Sequence, residues 1–355
     1  MKSFFKKVRN IRVILTVALP ALCLCSACAG QQSARYQSVD TAMGTVIRQT
    51  VYASSDAADV MKGVREVITG LEDECLSRRK ETSEIYRINA GAGVGQGIVA
   101  SECLTDILDK VQQVSADSGG ALDITLGEVV KLWNIDEYAV QFQGTEQESG
   151  EAVFRLPEPQ DIEAALDNTG YEKIRTDENT IYLPEGMSLD MGAVGKGIAC
   201  DRVLRYLKEQ SAVQGAVVTV GGSVLTYGQK PDGSPWQVGI VDPRDTAAYI
   251  GNLVLNGQWC VSTSGDYERY VEKDGVRYHH IIDPATGHPA DAGLISVTIL
   301  SRDGLLSDAL STAVFVLGAE KGGALAEKYG AYAVMVDKDG EIILSPGAEA
   351  YFCGK

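Results

Sequence analysis

The chain has 355 residues, of which 45% are hydrophobic and 23% charged. That is globular composition, enough for one large domain or two smaller ones. With 48 acidic against 32 basic residues the formal charge is −16. Such a surface repels phosphate backbones, which argues against nucleic acid as a partner.

The first thirty residues read as a targeting segment. Lys2, Lys6, Lys7, Arg9 and Arg12 form a positive start, "VILTVALPALCLC" is an apolar run, and small residues follow in "SACAG". The run is too short and one-sided for a transmembrane helix, which needs roughly 20 apolar residues. A Cys after small residues at this point resembles a bacterial lipobox, with Cys28 as the lipidated residue and Cys25 as the alternative. A plain cleaved signal is the other reading. Residues 1–27 are then the leader and 28–38 a polar tether, and the folded domain occupies 39–353. The leader carries five positive charges and no negative ones, so its removal takes the net charge from −16 to −21. An anionic ligand must then be met by backbone amides, a metal or a few basic side chains. Cys75, Cys103, Cys200, Cys260 and Cys353 remain, with no CxxC pair. That spacing argues against a zinc site and leaves free thiols or one disulfide.

Along the chain, Val60, Val64, Val67, Ile68 and Leu71 recur at helical spacing. The stretch 101–120 repeats the design. Ser101 is placed to cap, Leu104, Ile107, Leu108, Val111 and Val114 make the stripe, and Gly119 and Gly120 stop it. A third helix is expected from Asp161 to Asn168 and a fourth from Val194 to Lys208. "GAVVTVGG", "WQVGIVDP", "GNLVLNG", "WCVSTSG" and "LISVTIL" read as strands bounded by Gly and Pro. Hairpins are expected over Asp274-Gly275 and Asp339-Gly340, with a helix in "LLSDALSTAVFVLG" between them. Helices and strands mix without βαβ alternation, so the class is α+β with mostly antiparallel sheets flanked by helices.

The glycine-rich stretches fail the familiar nucleotide patterns. "GAGVGQG" at 91–97 has Gln96 where G-x-G-x-x-G needs Gly, and no strand precedes it. In "GAVGKG" at 192–197 the residue after Lys196 is Gly rather than Ser or Thr. Gly nevertheless lets backbone approach a ligand, and amides at a helix start favour anions. Lys196 adds a point charge there, and Asp190 precedes the loop as an acceptor. A tight strand-to-helix turn is the competing reading.

All three His lie in "YHHIIDPATGHPA", as His279, His280 and His288. Neighbouring strand residues point to opposite faces, so one of the first two is expected toward solvent and the other toward a cleft. Asp308 and Thr312 stand at i, i+4 on one helix face. Two oxygen ligands one turn apart suit Mg²⁺, which needs few protein ligands beside phosphate and water.

"AMGT", "LDMGAVGKGIACD", "VVTVGGS", "STSGDYERY", "YHHIIDPATGHP" and "SDALSTAVFVLG" occur in one order. The set resembles the ApbE family of flavin transferases over about residues 39–345. The resemblance implies a single ApbE-like (T-fold-like) α+β domain and a Mg²⁺-dependent reaction. In that reaction FAD is cleaved at its pyrophosphate, FMN is joined to a Thr hydroxyl of an acceptor protein, and AMP leaves. The acceptors it implies are flavin-carrying subunits of redox complexes and FMN-binding domains. It also implies an exported, lipid-anchored enzyme facing outside the cytoplasm. Carried over by residue, Met43 resembles a flavin contact, and "LWNI" places Trp133, Asn134 and Ile135 beside FAD. Arg79, with Arg78, stands where many members carry an aromatic residue, and Asp190 resembles an FAD-binding Asp. Ala193, through its carbonyl, Asp308 and Thr312 match the metal ligands. His280 is the first choice for a base or phosphate contact, with Asp308 as the alternative base. A flavin-binding or flavin-trafficking lipoprotein and an FAD pyrophosphatase are the competing functions.

Overall fold

The structure, a computed structural model, describes residues 33–142 and 154–355. The expected leader and Cys28 lie outside the described residues. The described chain opens with a hairpin of β1 (Ala34–Ala42) and β2 (Thr45–Ala53), paired in register from Ala34↔Ala53 to Ala42↔Thr45. The first described strand thus starts at Ala34, inside the stretch expected to be a tether. The reason is that β1 is held by its ladder to β2 while most of its side chains stay exposed. Its polar composition hid the strand.

Then follow α1 (Ala58–Leu71), which runs into one π turn at Glu72–Leu76, and α2 (Glu84–Ala90). Next come β3 (Ile98–Val99), α3 (Glu102–Asp117), α4 (Gly127–Trp133), α5 (Ile135–Phe142) and α6 (Pro159–Leu166). β4 (Arg175–Asp177) and β5 (Thr180–Tyr182) precede α7 (Gly195–Lys208). The second half supplies β6 (Val213–Val220), β7 (Ser223–Gly228), β8 (Trp236–Val241), β9 (Tyr249–Leu255), β10 (Trp259–Gly265), β11 (Tyr270–Lys273), β12 (Val276–His279) and β13 (Leu294–Ser301). It closes with α8 (Gly304–Leu317), α9 (Ala319–Lys328), β14 (Tyr332–Asp337), β15 (Ile342–Leu344) and β16 (Phe352–Gly354).

The main sheet runs β1-β2-β6-β7-β10-β13-β14-β15, with every neighbour antiparallel. Helices α1, α7 and α8 share a core with one of its faces. The sheet β16-β9-β8 covers part of the other, where Trp236, Leu253 and Leu255 meet Val261, Leu300 and Val334. A satellite cluster joins α4, α6 and the segment after β12 through Leu126, Trp133, Ile162 and Ile282. The expected stripes hold: Val60, Val64, Ile68 and Leu71 are buried, and the Ser101 hydroxyl accepts from the Leu104 amide at 3.2 Å. Among the described residues no helix is long and apolar enough to cross a membrane. Cys75, Cys103, Cys200, Cys260 and Cys353 are all free thiols.

One contact fixes the arrangement of α7 and α8. A Cβ added at Gly197 would stand 2.0 Å from the Gly304 carbonyl oxygen, and one at Gly304 would stand 2.3 Å from that of Gly197. The helices approach backbone to backbone, and only glycine permits this. Asp201 of α7 then accepts the Gly304 and Leu305 amides at 2.7 and 2.9 Å, while Asp303 accepts from Leu306 at 3.0 Å. The first turn of α8 is capped by two carboxylates. Gly197→Ala is expected to lower unfolding stability by roughly 1–3 kcal/mol, because the atom it meets is backbone. Gly323→Ala, in α9 with open space around it, should be neutral or stabilising by up to about 1 kcal/mol. Denaturant unfolding of both variants checks the contrast.

Candidate active site

The stretch "SLDMGAVGKG" crosses the molecule as a pinned loop. Asn89 holds both backbone groups of Leu189: its amide donates to the Leu189 carbonyl at 2.9 Å and accepts from the Leu189 amide at 2.7 Å. The Asp190 amide donates to the Ile124 carbonyl at 2.7 Å. The Asp190 carboxylate accepts from the Gly192 amide at 2.7 Å and pairs with Arg78 Nε at 2.7 Å. A Cβ at Gly192 would meet that carboxylate at 2.9 Å, and one at Gly195 would meet the Met43 methyl at 3.3 Å. Side chains are sparse because backbone must turn tightly between fixed groups.

Two cavities meet at Asp136, Asp190, Gly192 and Arg269. One, of about 110 Å³, is enclosed and largely apolar, lined by Leu122, Leu126, Val130, Trp133, Ile135 and Ile282 among others. The other, of about 500 Å³, is more open and carries Met43, Arg78, Arg79 and Lys196. The β1–β2 turn delivers Met43. Met43 and Gly44 both have positive φ, 52° and 65°, and the Met43 amide donates to Glu72 at 2.9 Å. A non-glycine residue held left-handed is strained, and such strain concentrates at functional positions.

Most of the residues singled out in the sequence come together here. Trp133, Ile135, Asp190, Ala193, His280 and Thr312 line the enclosed cavity, and Met43, Arg79, Asp190 and Lys196 line the open one. Trp133 is fixed by donating to the Gly287 carbonyl at 2.7 Å. Asn134 differs from expectation. It lines neither cavity, and its φ of 47° makes it the turn between α4 and α5, with its side-chain Nδ2 donating to the Glu137 carboxylate at 3.0 Å. Arg79 is exposed and only 3.9 Å from Glu137, whereas Arg78 is the guanidinium locked on Asp190. Arg269 and Asp136, joined at 2.8 Å, were missed. Arg269 stands inside the quoted "STSGDYERY", but nothing local reveals that it faces α5.

The histidines also differ from a solvent-and-cleft split. His279 is buried: Nε2 bonds the Ala290 carbonyl at 3.0 Å, Nδ1 accepts from the Ile281 amide at 3.3 Å, and the ring packs edge-on to Phe315. His280 faces the enclosed cavity, with Nδ1 3.2 Å from the Arg269 carbonyl. A carbonyl cannot donate, so Nδ1 carries the proton and Nε2 keeps its lone pair. Burial, with Arg269 and Lys196 beside it, holds the His280 pKa well below the ordinary histidine value. The ring is neutral at pH 7.

Asp308, 3% exposed, lies one helical turn before Thr312, which lines the enclosed cavity. It accepts from the Gly197 amide at 2.9 Å and the Ser223 hydroxyl at 3.4 Å, and no cationic side chain pairs with it among the described residues. Burial pushes its pKa up, and Lys196 opposes that. A buried carboxylate with two neutral donors, one turn from a Thr312 hydroxyl that lines the enclosed cavity together with Ala193, has the donor chemistry for a hard divalent cation completed by ligand oxygens. Among the described residues no cluster of three His, Cys, Asp or Glu offers another metal site.

Asp201, which anchors α8, is raised by burial to about 6, with Asp303 adding to the rise. Its folded pKa exceeds its unfolded one, so its contribution to stability is full below about pH 4 and is lost as pH rises through about 6. Asp201→Asn keeps an acceptor and removes the titration. Its stability relative to the parent should rise between pH 4 and 6.5, read by denaturant unfolding at each pH.

The sequence signature of the ApbE family matches residues 43–336. A Treponema pallidum protein named FAD:protein FMN transferase is 34% identical over 348 residues, covering 92% of this chain and 91% of that protein. One of the same name from Klebsiella pneumoniae is 37% identical, with 85% and 89% covered. Among solved structures, the ApbE protein of Thermotoga maritima superposes with a TM-score of 0.78 at 31% identity, covering 90% of this chain and 99% of its own. The apo flavinyl transferase ApbE of Pseudomonas stutzeri gives 0.76 at 34%, covering 91% and 99%. With its fold, its signature and its relatives in agreement along nearly the whole described chain, this protein belongs to the ApbE family.

Proposed function

We propose that this chain is an FAD:protein FMN transferase. The observation that carries the reading is the pair of unlike cavities meeting along the loop whose Gly197 amide donates to a buried carboxylate. About 110 Å³ of enclosed apolar space suits a two-ring purine and is tight for a three-ring flavin. The open cavity of about 500 Å³, with Met43 and the guanidinium groups of Arg78, Arg79 and Arg269, suits the isoalloxazine. FAD lying across both would set its pyrophosphate at the junction, beside Lys196, Arg269 and the N-terminus of α7. Lys196 makes no ion pair among the described residues and is free to meet phosphate.

We further propose that Mg²⁺ is held by the Ala193 carbonyl, Asp308 and Thr312, where it would offset the charge of the pyrophosphate. The chain's own residues do the rest. Trp133 and the apolar wall hold adenine and exclude water. His280 Nε2 accepts the proton of an acceptor Thr hydroxyl as its oxygen bonds to the flavin-side phosphorus. The bond from that phosphorus to the bridging oxygen breaks, and AMP leaves with the electron pair. Arg269 and Lys196 offset charge on the transferred phosphoryl group. The acceptor is a flavoprotein that presents this Thr.

His280→Ala should lower the transfer rate by about 10²–10⁴-fold, the usual worth of a positioned base, while FAD affinity changes little. Fluorescence titration of FAD and in-gel detection of flavinylated acceptor, with and without Mg²⁺, read the two halves separately. Parallel loss of binding and transfer would make His280 a ligand contact instead.

We also propose that the protein is lipid-anchored at Cys28 on the outer side of the cell membrane. The motifs in residues 1–28 support this. Mass spectrometry should find a diacylated or triacylated Cys28 at the mature N-terminus; an unmodified terminus elsewhere means simple secretion.

A further inference from the structure

The acceptor must bring a hydroxyl to the cavity junction, so part of it must reach into a cleft. Taking the transferase reading as given, we propose that the acceptor docks by adding an extended segment to the free edge of β8. Strand β8 pairs only with β9, leaving the backbone groups of its other side without a ladder. Proteins normally guard such edges with charge. Among the described residues the edge strands of four or more residues are β1, β8, β11 and β12, and β8 alone has no charged side chain. An uncharged edge is a template for β-strand addition.

A pocket of about 270 Å³ opens beside this edge, between β8 and the outer face of β7 and β10. Val224, Val238 and Val261 make it apolar, so it can take one or two apolar side chains of an added strand. Its lining adjoins the active-site residues along the chain in two places. Glu268 lines the pocket, and Arg269, the next residue, lines both FAD cavities. Gly222 lines the pocket, and Ser223, again the next residue, donates to Asp308. At both places the two linings are one residue apart along the chain. Extended chain rises about 3.3 Å per residue, so a short stretch of acceptor past the pocket would carry its Thr over the Gly221-Gly222 turn toward the junction.

The test places a charge on the edge. Val241→Lys is half-buried at the end of β8 and lines the pocket. Gly239→Lys is the second variant, since the nearest atoms to its new Cβ, at 2.7 Å, belong to the half-exposed Tyr249 ring, which can turn aside. Val39→Lys, on the exposed face of β1, is the control. Each protein is incubated with FAD and Mg²⁺ and with membranes of source cells lacking this chain, and covalent flavin is read by in-gel fluorescence. FAD titration confirms that each variant is folded. The β8 variants should label about tenfold more slowly with unchanged FAD affinity, and Val39→Lys should match the parent. Parent-level labelling by both β8 variants overturns the docking site alone. No labelling by the parent overturns the transferase reading, and the docking site with it.

Discussion

The close approach of α7 and α8 is the constraint on which the site depends. With no Cβ at Gly197 or Gly304, the first turn of α7 lies against the first turn of α8. The Gly197 amide thereby reaches Asp308 at 2.9 Å. Any side chain at residue 197 would push the carboxylate away from the loop that carries Ala193. The buried charge is tolerable because it is small in number and well placed: one carboxylate, a backbone amide, a hydroxyl and Lys196 nearby. A buried carboxylate without a compensating cation is costly, so the fold holds this position at the expense of its own stability. That is the usual mark of a site built for a ligand rather than for packing.

The same economy governs the rest of the junction. Backbone atoms hold the reactive side chains. The Arg269 carbonyl sets the His280 tautomer, the Gly192 amide orients Asp190, and Asn89 pins Leu189 through both of its main-chain groups. A histidine bonded to a carboxylate would be drawn toward the charged form; one bonded to a carbonyl and flanked by Arg269 and Lys196 stays neutral. The carbonyl contact frees Nε2, while burial first and the two cations second keep the ring neutral against that contact's own pull toward the charged form.

Much of the scaffold was legible because its signals are local. The Ser101 cap, the stripes of α1 and α3, and the Asp274-Gly275 turn, with φ of 52° and 76°, each follow from adjacent residues. Six motifs in order also identified the family and most of the lining. What was illegible depends on distance. Which of Arg78 and Arg79 turns inward is decided by the π turn at Glu72–Leu76 and its exit at Ser77, not by residue type. The Arg269–Asp136 pair joins positions 133 apart in the chain. Asn134 matched a family position yet serves as a left-handed turn, because α4 and α5 need a break there. Strand β1 was hidden by polar side chains that its ladder does not require to be buried.

Charge finally explains why recognition should run through backbone and shape. A chain of −16 cannot steer an acidic partner or a dinucleotide from afar, and salt screens what attraction exists. Of the cations at the junction, Arg78 is spent on Asp190 and Arg269 on Asp136, which leaves Lys196 as the one without an ion pair among the described residues. The pairs fix guanidinium geometry instead of projecting a field. FAD would therefore be selected by the fit of two unequal cavities and by short contacts at its phosphates. An acceptor approaching the same acidic surface gains nothing from long-range attraction either. Main-chain hydrogen bonds along an uncharged edge are indifferent to net charge, and they fix the register of every residue that follows. For the transfer proposed here, which would need an acceptor hydroxyl at a defined point, register is the quantity that matters.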